Sequence, residues 1–420
     1  MKRILYSTLI LILLISIFIV SQALANGVLL ESVGTTSTGR GATDIAYSDN
    51  GIMVHNNPAG LADLEDDRIE ITTELISFSM HYQDPQNDEE GKEPLCFLPS
   101  LFYMKHFDEI PLGIGFGIFS SAGYSTDYDL VHLDPNYGTQ KYFSYSSLSK
   151  LLVGAGYKIK EGFSLGMGIG ASYSKVELEM PYTFQTGAMA GTPALINMDA
   201  DDWSYTWNMG AKLDISSKTS LGVTYRSKDS FDMHGDLDLN IPGLGAAHYA
   251  VDFDFCWPQS AGIGILHHLT QNHRLSFDVV WIDWSSAFDD LTLKLSNGNN
   301  VAFPLEAKDT LPLAWKDSYS FRLGYEQLLT PVDTLRLGYI YIKNPVPDDT
   351  LTPMIPGILT NMITIGYGRE WKNWIFNLAY LYAFSNTQSV GTSRIIGGDF
   401  DSSSVKESLH CFSFGIAYRL

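Results

Sequence analysis

The sequence is poor in cysteine and in basic residues, and both shortages narrow the classes of protein that it can encode. Three cysteines in 420 residues are too few and too scattered for a disulfide framework. The 27 lysines and arginines face 47 aspartates and glutamates, so the formal net charge is −20. A chain this acidic is a poor partner for nucleic acid or for an anionic surface, and we predict that it binds no nucleic acid.

Long apolar runs are also scarce. Residues 4–20 form a mostly apolar run that follows Lys2 and Arg3 and precedes Ala23-Leu24-Ala25, a pattern typical of a cleaved secretory signal. No later run approaches the roughly 18 residues that a membrane helix needs. We therefore predict a signal peptide at residues 1–25 and an exported chain without a helical span, which is either soluble or a β-barrel.

Catalytic and metal-binding patterns are missing from the sequence as well. It contains no Gly-x-Ser-x-Gly elbow. His267, His268 and His273 have no cysteine or carboxylate at a spacing useful for a metal site. We predict a protein that is not an enzyme and that needs neither a metal nor another cofactor.

The sequence is rich in strands that alternate between large apolar and small residues. In residues 412–420 every even position is apolar and every odd position is small or charged. The same period of two recurs in residues 112–118, 163–174, 319–326 and 335–341, where glycines oppose the large residues. A soluble sandwich places its large residues in a core, whereas a transmembrane barrel turns them to lipid. The many glycines on the other face leave space, which favours a lumen.

Short and long connections alternate strictly from about Asp67 onward, as in an up-and-down membrane barrel with short periplasmic turns and long external loops. The predicted tight turns lie near residues 108–109, 160–162, 216–218, 271–273, 330–331 and 372–373. The predicted long loops are 83–96, 124–141, 179–202, 234–248, 286–316, 344–358 and 386–405. Counting the segments predicts an all-β fold, an antiparallel membrane-spanning barrel of about 14 strands covering residues 67–420.

Residues 26–66 do not fit the strand pattern. They are rich in Gly, Ser and Thr and contain the turn-forming segment Asn57, Pro58, Ala59 and Gly60. About forty residues are enough to fold into the lumen and block it, so we predict an N-terminal hatch here; the alternative is a periplasmic tail. The four turn residues would then shape the hatch, or simply lead into the first strand.

Several short segments, each weak alone, together resemble the FadL family of outer-membrane channels for hydrophobic compounds, which includes toluene and xylene transporters. They span nearly the whole chain after the signal and occur in the family's order. Residues 38–42 and 57–61 are similar to the family's hatch signature, and residues 115–126 are similar to its third strand. Residues 172–177 are similar to the end of its fifth strand. Two further recurring patterns of the family are matched by residues 224–227 and 315–319.

The resemblance implies a fourteen-stranded barrel with a hatch in the Gram-negative outer membrane. It implies uptake of long-chain fatty acids or of aromatic or aliphatic hydrocarbons by passive lateral diffusion through a gap in the wall. The expected partners are the hydrophobic substrate, outer-membrane lipid and lipopolysaccharide, and the barrel-assembly machinery, which would engage the C-terminal strand of a monomer. A general porin for polar solutes is the alternative function, and an outer-membrane lipid hydrolase is a weaker one.

The gap should lie where strand pairing fails. Residues 120–123 are small and follow a regular strand, and glycine within a strand marks a kink or bulge. By resemblance, Ser120, Gly123 and Ser125 would line the lateral opening. The alternative is an ordinary strand end that leads into a loop.

Apolar residues in predicted external loops suggest a capture site for substrate. The candidate substrate-binding residues are Met180, Phe184, Leu195, Ile196, Leu244 and Lys316. By the family resemblance, members that carry fatty acids have a basic residue directly after a Glu-apolar-Glu pattern. In this chain Met180 occupies that position, which favours a neutral ligand. Lys316 is left as a possible carboxylate partner. Arg226, Arg322 and Arg336 point inward by parity, and we expect them to pair with Glu326, Asp278 or other lumen acids.

Overall fold

The computed structural model of the protein describes residues 28–92 and 95–420. The predicted signal peptide at residues 1–25 lies outside this part of the chain. Among the described residues, no helix has the length and apolar character required to cross a membrane.

The described chain is built almost entirely of strands. In chain order they are β1 (Arg68–Gln83), β2 (Asp88–Glu90), β3 (Cys96–Phe107), β4 (Leu112–Val131), β5 (Thr139–Lys160), β6 (Phe163–Thr183), β7 (Pro193–Ser216), β8 (Thr219–Arg226), β9 (Asp229–Ile241), β10 (Gly245–Trp257), β11 (Ser260–His268), β12 (His273–Ile282), β13 (Asp290–Ser296), β14 (Ala307–Pro312), β15 (Ser318–Thr330), β16 (Asp333–Ile342), β17 (Asn361–Trp371), β18 (Trp374–Ser389) and β19 (Ser404–Arg419). The short helices are α1 (Thr35–Gly39), α2 (Met53–Asn56) and α3 (Trp284–Ala287), with 3-10 turns at Pro58–Asp63, Gly187–Met189 and Asp348–Thr350.

Fourteen of these strands form a closed antiparallel ring, which confirms the predicted fold class and strand number. The ring contains every strand except β2, β9, β10, β13 and β14. It closes where β1 pairs with β19, in register from Arg68 opposite Arg419 to Gln83 opposite Ser404. The two hairpins β9–β10 and β13–β14 extend the sheet beyond β7.

The alternation of side chains in the wall follows the sequence pattern. On β15, Phe321 and Leu323 are exposed on the outer face, whereas Ser320, Arg322 and Gly324 are buried on the inner face. Along β19 the apolar even-numbered positions are likewise turned outward. The outer surface of the ring is thus apolar and suited to lipid.

The two ends of the barrel differ in their connections. All six predicted tight turns join neighbouring strands at the end that we call the turn end. At the opposite loop end, strands run further than predicted. Most of 124–141 and 179–202 lies within strands, and 234–248 spans the β9–β10 hairpin. The loop predictions for these ranges are wrong. The strands continue beyond the lipid-facing part of the wall, where the alternation of apolar and small residues that identified the strands is no longer present.

The segment from Val28 to Leu64 lies inside the ring. Helix α1 contacts β17, β18 and β19, whereas the 3-10 turn at Pro58–Asp63 contacts β3 to β7 on the other side. Most of its residues are buried, although neither helix exceeds five residues. Contacts to opposite sides of the ring mean that this segment, called the hatch below, crosses the lumen.

Candidate transport path

The hatch is fixed to the wall by its turn residues. The Asn57 side chain accepts a hydrogen bond from the Ala59 amide at 3.1 Å, which caps the 3-10 turn, and Pro58 begins that turn. The side-chain nitrogen of Asn57, Nδ2, donates to the carbonyl oxygens of Ile45 at 2.6 Å and of Ala211 on β7 at 3.1 Å. A single side chain thus shapes the turn and ties it to the barrel.

The inward glycines of the wall are contact points for the hatch. A Cβ placed on Gly166 of β6 would lie 2.2 Å from backbone atoms of Pro58 and Ala59, and one on Gly222 of β8 would lie 2.0 Å from the Ile45 carbonyl oxygen. No side chain fits at such distances. The space that the glycines leave is therefore filled by the hatch backbone at these positions.

Carboxylates of the wall bind backbone amides of the hatch. Glu74 and Glu70 of β1 accept hydrogen bonds from the amides of Gly34 at 2.9 Å and Gly51 at 2.8 Å. Asp278 of β12 accepts from the amides of Asp44 and Ile45 at 2.8 and 3.1 Å. These bonds satisfy hatch donors that helices and strands leave unpaired.

An ion cluster holds the hatch together internally. The fully buried Arg40 donates to Asp44 at 2.7 Å and to Asp49 at 2.6 Å, and its guanidinium lies 3.5 Å from the ring centre of Tyr47. Burial opposes ionisation of Asp49, but the charge of Arg40 outweighs it and lowers the pKa of Asp49 to about 2. Removing Arg40 would leave the buried carboxylate of Asp44 without its counter-charge.

The wall is incomplete between β3 and β4. The two strands pair only from Leu101 opposite Ile118 to Phe107 opposite Leu112, whereas residues 96–100 of β3 continue along β1. Strand β4 runs on to Val131 and stays paired with β5, apart from one bulge between Ser120 and Ala122. We call residues 119–126 of β4, which lack a β3 partner in the described chain, the wall break.

The N-terminal end of the hatch occupies the free edge of the wall break. Leu29 forms a β-bridge with Ala122, the Leu30 amide donates to the Ser121 carbonyl at 3.1 Å, and the Gly123 amide donates to the Val28 carbonyl at 3.2 Å. Inside the break, Phe119 packs against Phe102 with ring centres 5.8 Å apart. The sequence offered no signal for the pairing of residues 28–30 with residues 121–123, because the two segments are distant in the chain.

The three residues predicted to line a lateral opening all lie in the wall break and are buried. Ser120 precedes a bulge between Ser120 and Ala122, and its hydroxyl lies 3.4 Å from that of Ser149. Gly123 has φ = 154°, and a Cβ there would lie 2.7 Å from the Ser146 carbonyl oxygen. Both features require glycine at position 123, while Ser125 continues the strand.

A groove of about 420 Å³ opens at the loop end between β6, β7, β9 and β10. Met180, Leu195 and Ile196, three of the predicted substrate-binding residues, line it. His248, which lies in the predicted loop 234–248, lines it too, whereas the pattern analysis missed other lining residues, among them Lys141, Glu179, Leu239 and Ala247. The groove therefore has an apolar floor and a charged rim.

The other predicted substrate-binding residues lie apart from this groove. Phe184 is buried in the core against Tyr182. Leu244 is 62% exposed at the tip of the β9–β10 hairpin, and Lys316 is exposed beyond β14. The structure thus brings three of the six candidates together.

A continuous apolar core joins the groove to the wall break. One cluster of buried side chains contains Met180 and Ile196 of the groove, Val28 of the hatch and Ala122 of the wall break. The same cluster contains five aromatic rings whose centroids lie 4.9 to 6.2 Å apart along their contacts: Phe255, Trp257, Trp284, Phe288 and Trp315.

The turn end of the lumen is polar. A cavity of about 790 Å³, here called the vestibule, opens below the hatch. Glu326 accepts from Arg274 and Arg336, each at 2.8 Å, and Lys212 donates to Asp63 at 2.8 Å. Charged groups therefore line this part of the lumen.

Two of the three inward arginines pair with lumen acids, as predicted, and the third does not. Arg336 binds Glu326, as expected. Arg322 pairs with Glu31 of the hatch at 2.8 Å rather than with Asp278, which binds hatch amides instead. Arg226 has no carboxylate within 4.0 Å in the described chain, so its predicted pairing is wrong. The error has a simple cause, because parity gives the face of a residue but not its height in the lumen.

The closed ring, the apolar outer face and the short turns at one end define a transmembrane β-barrel of the outer-membrane type. Residues 16–419 match the model of the family described as outer membrane protein transport protein (OMPP1/FadL/TodX). The chain belongs to this family, which places it in the Gram-negative outer membrane and among transport proteins rather than enzymes.

Similar proteins support this assignment. The chain is 22% identical over 384 residues to the long-chain fatty acid transport protein of an Escherichia coli O6:H1 strain, covering 80% of this chain and 81% of that protein. It is 23% identical over 398 residues to outer membrane protein P1 of Haemophilus influenzae, covering 75% and 85%. The structure of the Pseudomonas putida toluene transporter TodX superposes with a TM-score of 0.79 at 18% identity, covering 93% of this chain and 99% of that one. This last likeness shows a shared fold.

Proposed function

We propose that this protein takes up hydrophobic compounds by capturing them in the groove at the loop end and releasing them sideways through the wall break. The family and the names of its members, which include a long-chain fatty acid transport protein and a toluene transporter, support a hydrophobic cargo. The lateral route is an inference from the geometry of this chain.

The observation that carries the proposal is the loss of pairing between β3 and β4 above Ile118. An unpaired stretch of wall in a closed barrel exposes backbone donors and acceptors and weakens the sheet. Here the free edge is covered by residues 28–30 of the hatch, a short segment that can leave without breaking the ring. The apolar core leads from the groove to this point.

The vestibule supports sideways rather than downward release. A hydrocarbon that passed into this charged cavity would lose about 0.8 kcal/mol for each methylene exposed to water. Release through the break leads instead to the hydrocarbon of the membrane. The hatch contacts around the ring weigh against the alternative of a general porin, which needs an open lumen.

The proposal is tested by filling the wall break. Ser121 is buried beside Leu29, so we expect Ser121→Phe to block the route and to reduce uptake of a labelled hydrophobic compound severalfold in cells that lack their own transporter. Ala261→Phe, on the outer face of β11, is the matched control and should transport normally. Normal uptake by a correctly folded Ser121→Phe protein would contradict the lateral route.

A further inference from the structure

A second cavity opens at the loop end and has a volume of about 260 Å³. Its walls are residues 84–87 between β1 and β2, residues 130, 131 and 133 at the end of β4, and residues 398–402 between β18 and β19. Tyr82 and Tyr142 complete the lining. None of these residues lines the groove or the vestibule or lies in the wall break. The cavity is therefore separate from the proposed uptake route.

The cavity carries negative charge without a matching basic residue. Asp84, Asp399 and Asp401 line it. Within the described chain no lysine or arginine lies within 4.0 Å of these carboxylates, and the imidazole of His132 lies 3.4 Å from Asp399. A histidine adds positive charge only when it is protonated. The cavity thus has an excess of negative charge.

Several other acids at the loop end are paired with basic residues. Lys92 pairs with Asp127 and Asp129 at 3.0 and 3.1 Å. Arg394, which precedes Asp399 by five positions in the sequence, pairs with Asp349 at 2.6 Å instead. Basic residues are thus present nearby in the chain, but they leave the carboxylates of this cavity unpaired.

Tyr142 adds a hydroxyl without a partner. The residue is only 4% exposed and lines the cavity. Its hydroxyl forms no hydrogen bond to any residue in the described part of the chain. Most polar atoms of buried side chains do have a partner. A free hydroxyl in the wall of a cavity therefore indicates where the polar group of a ligand binds.

Asp399 is the carboxylate that most needs a counter-charge. Its side chain is 11% exposed, and the Thr183 hydroxyl donates to it only at the long distance of 3.4 Å. Burial raises the pKa of the Asp399 carboxyl, and the nearby His132 and Thr183 offset only part of the rise. A cation bound beside Asp399 would favour its charged form.

Apolar side chains form much of the remaining wall. Leu130 and Phe400 are buried and belong to the core cluster, whereas Val131 and Leu133 are exposed at the rim. A hydrated metal ion gains nothing from such a surface, because its ligands are oxygen atoms. An organic amine suits it better, since it combines a cationic head with an apolar body. The cavity is smaller than the roughly 300–1,000 Å³ of sites for drug-sized ligands, so the ligand is small.

We propose that this cavity is an external binding site for a small hydrophobic amine. The ammonium group lies beside Asp399 and the Tyr142 hydroxyl. Its apolar body lies against Leu130, Leu133 and Phe400. Such an amine is charged at neutral pH, because its pKa lies near the value of about 10.4 for lysine. The site goes beyond the proposed function, since it recognises a cation and lies off the route through the groove and the wall break.

The test compares an amine with an alcohol of the same chain length. Hexylamine and hexanol are titrated at pH 7 against the full-length protein in phosphatidylcholine nanodiscs, with protein-free nanodiscs as the blank for partitioning. We expect the protein to bind hexylammonium at least about tenfold more tightly than hexanol, as a charge-assisted hydrogen bond predicts. Asp399→Asn should remove this preference and leave hexanol binding unchanged. Tyr142→Phe, which deletes only the free hydroxyl, should weaken hexylammonium binding severalfold.

Asp254→Asn is the matched control, because it makes the same charge change at a carboxylate that is 82% exposed on β10. It should bind hexylammonium like the wild type. A preference for the amine that survives in folded Asp399→Asn, or that falls equally in Asp254→Asn, would overturn the proposal. Equal binding of amine and alcohol by the wild type would overturn it as well.

Calcium chloride is titrated in the same way to separate an organic cation from a metal ion. Calcium binding that is tighter than hexylammonium binding and is lost in Asp399→Asn would assign the cavity to a metal ion and overturn the proposal. Weak calcium binding that is the same in both proteins would support the amine. Folding of each variant is checked by the heat-dependent shift of the barrel on gel electrophoresis.

Discussion

The two halves of the lumen are lined by opposite chemistry. Toward the loop end, rings such as Trp257 and Phe288 contact one another and are almost fully buried. Toward the turn end, Glu326 and its two arginines face an open polar cavity. The hatch lies between the two halves. Under the proposed function, an apolar ligand is favoured above the hatch and disfavoured below it, and the wall break lies where the favourable path ends.

The largest expected effect comes from removing the barrier between the halves. Deletion of residues 28–64 should convert a closed protein into a conducting one, because the inward glycines would then face an empty lumen. Single-channel recording in planar bilayers checks this expectation. A wild-type protein that already conducts as an open pore would show that the hatch does not separate the two halves.

A second, smaller effect tests the polar half. Glu326→Ala leaves Arg274 and Arg336 without their shared carboxylate, and we expect it to lower the free energy of unfolding by about 3 kcal/mol. Urea unfolding in lipid vesicles measures the change. Asp349→Ala, which breaks an exposed pair with Arg394, is the control and should cost less than about 1 kcal/mol. Equal losses in both variants would mean that the vestibule pairs are solvated like surface pairs.

The smallest effect concerns the rim of the apolar half. His248 on the β9–β10 hairpin hydrogen-bonds Asp238 at 2.8 Å, which raises its pKa above the usual 6.5, and burial opposes the shift only weakly. A raised folded-state pKa means that the stabilisation is complete below pH 6.5 and is lost as the pH rises through the folded value. Protection of the hairpin amides from hydrogen exchange, corrected for intrinsic rates, should fall over that window. His248→Gln should remove this pH dependence, and an unchanged profile in that variant would contradict the assignment.

The barrel wall could be predicted well from the sequence. Successive side chains of a strand face lipid and lumen in turn, so apolar residues recur at every second position, and short polar turns separate one strand from the next. The strands were underestimated at the loop end, where water replaces lipid. Even so, Leu237 and Leu239 alternating with aspartates were a signal for the β9–β10 hairpin.

The candidate site was less accessible to sequence reasoning. The turn at Asn57 could be recognised from its composition, but its bond to Ala211 depends on a strand 154 residues away. The pairing of Leu29 with Ala122 and the unpaired state of Arg226 are likewise properties of the assembled ring. Parity and composition describe each strand separately, so they cannot give the distance between residues on different strands and the hatch.

The closure of β1 on β19 also has a consequence for how the protein folds. The first and last strands of the ring hold each other in register over their full lengths, so neither has a permanent partner on that side until the whole wall exists. Joining them closes a loop that contains nearly all of the chain, and such long-range contacts form slowly. Until then the growing sheet has two open edges that invite pairing with other chains. Assembly of this barrel is therefore most vulnerable to aggregation just before its final seam forms.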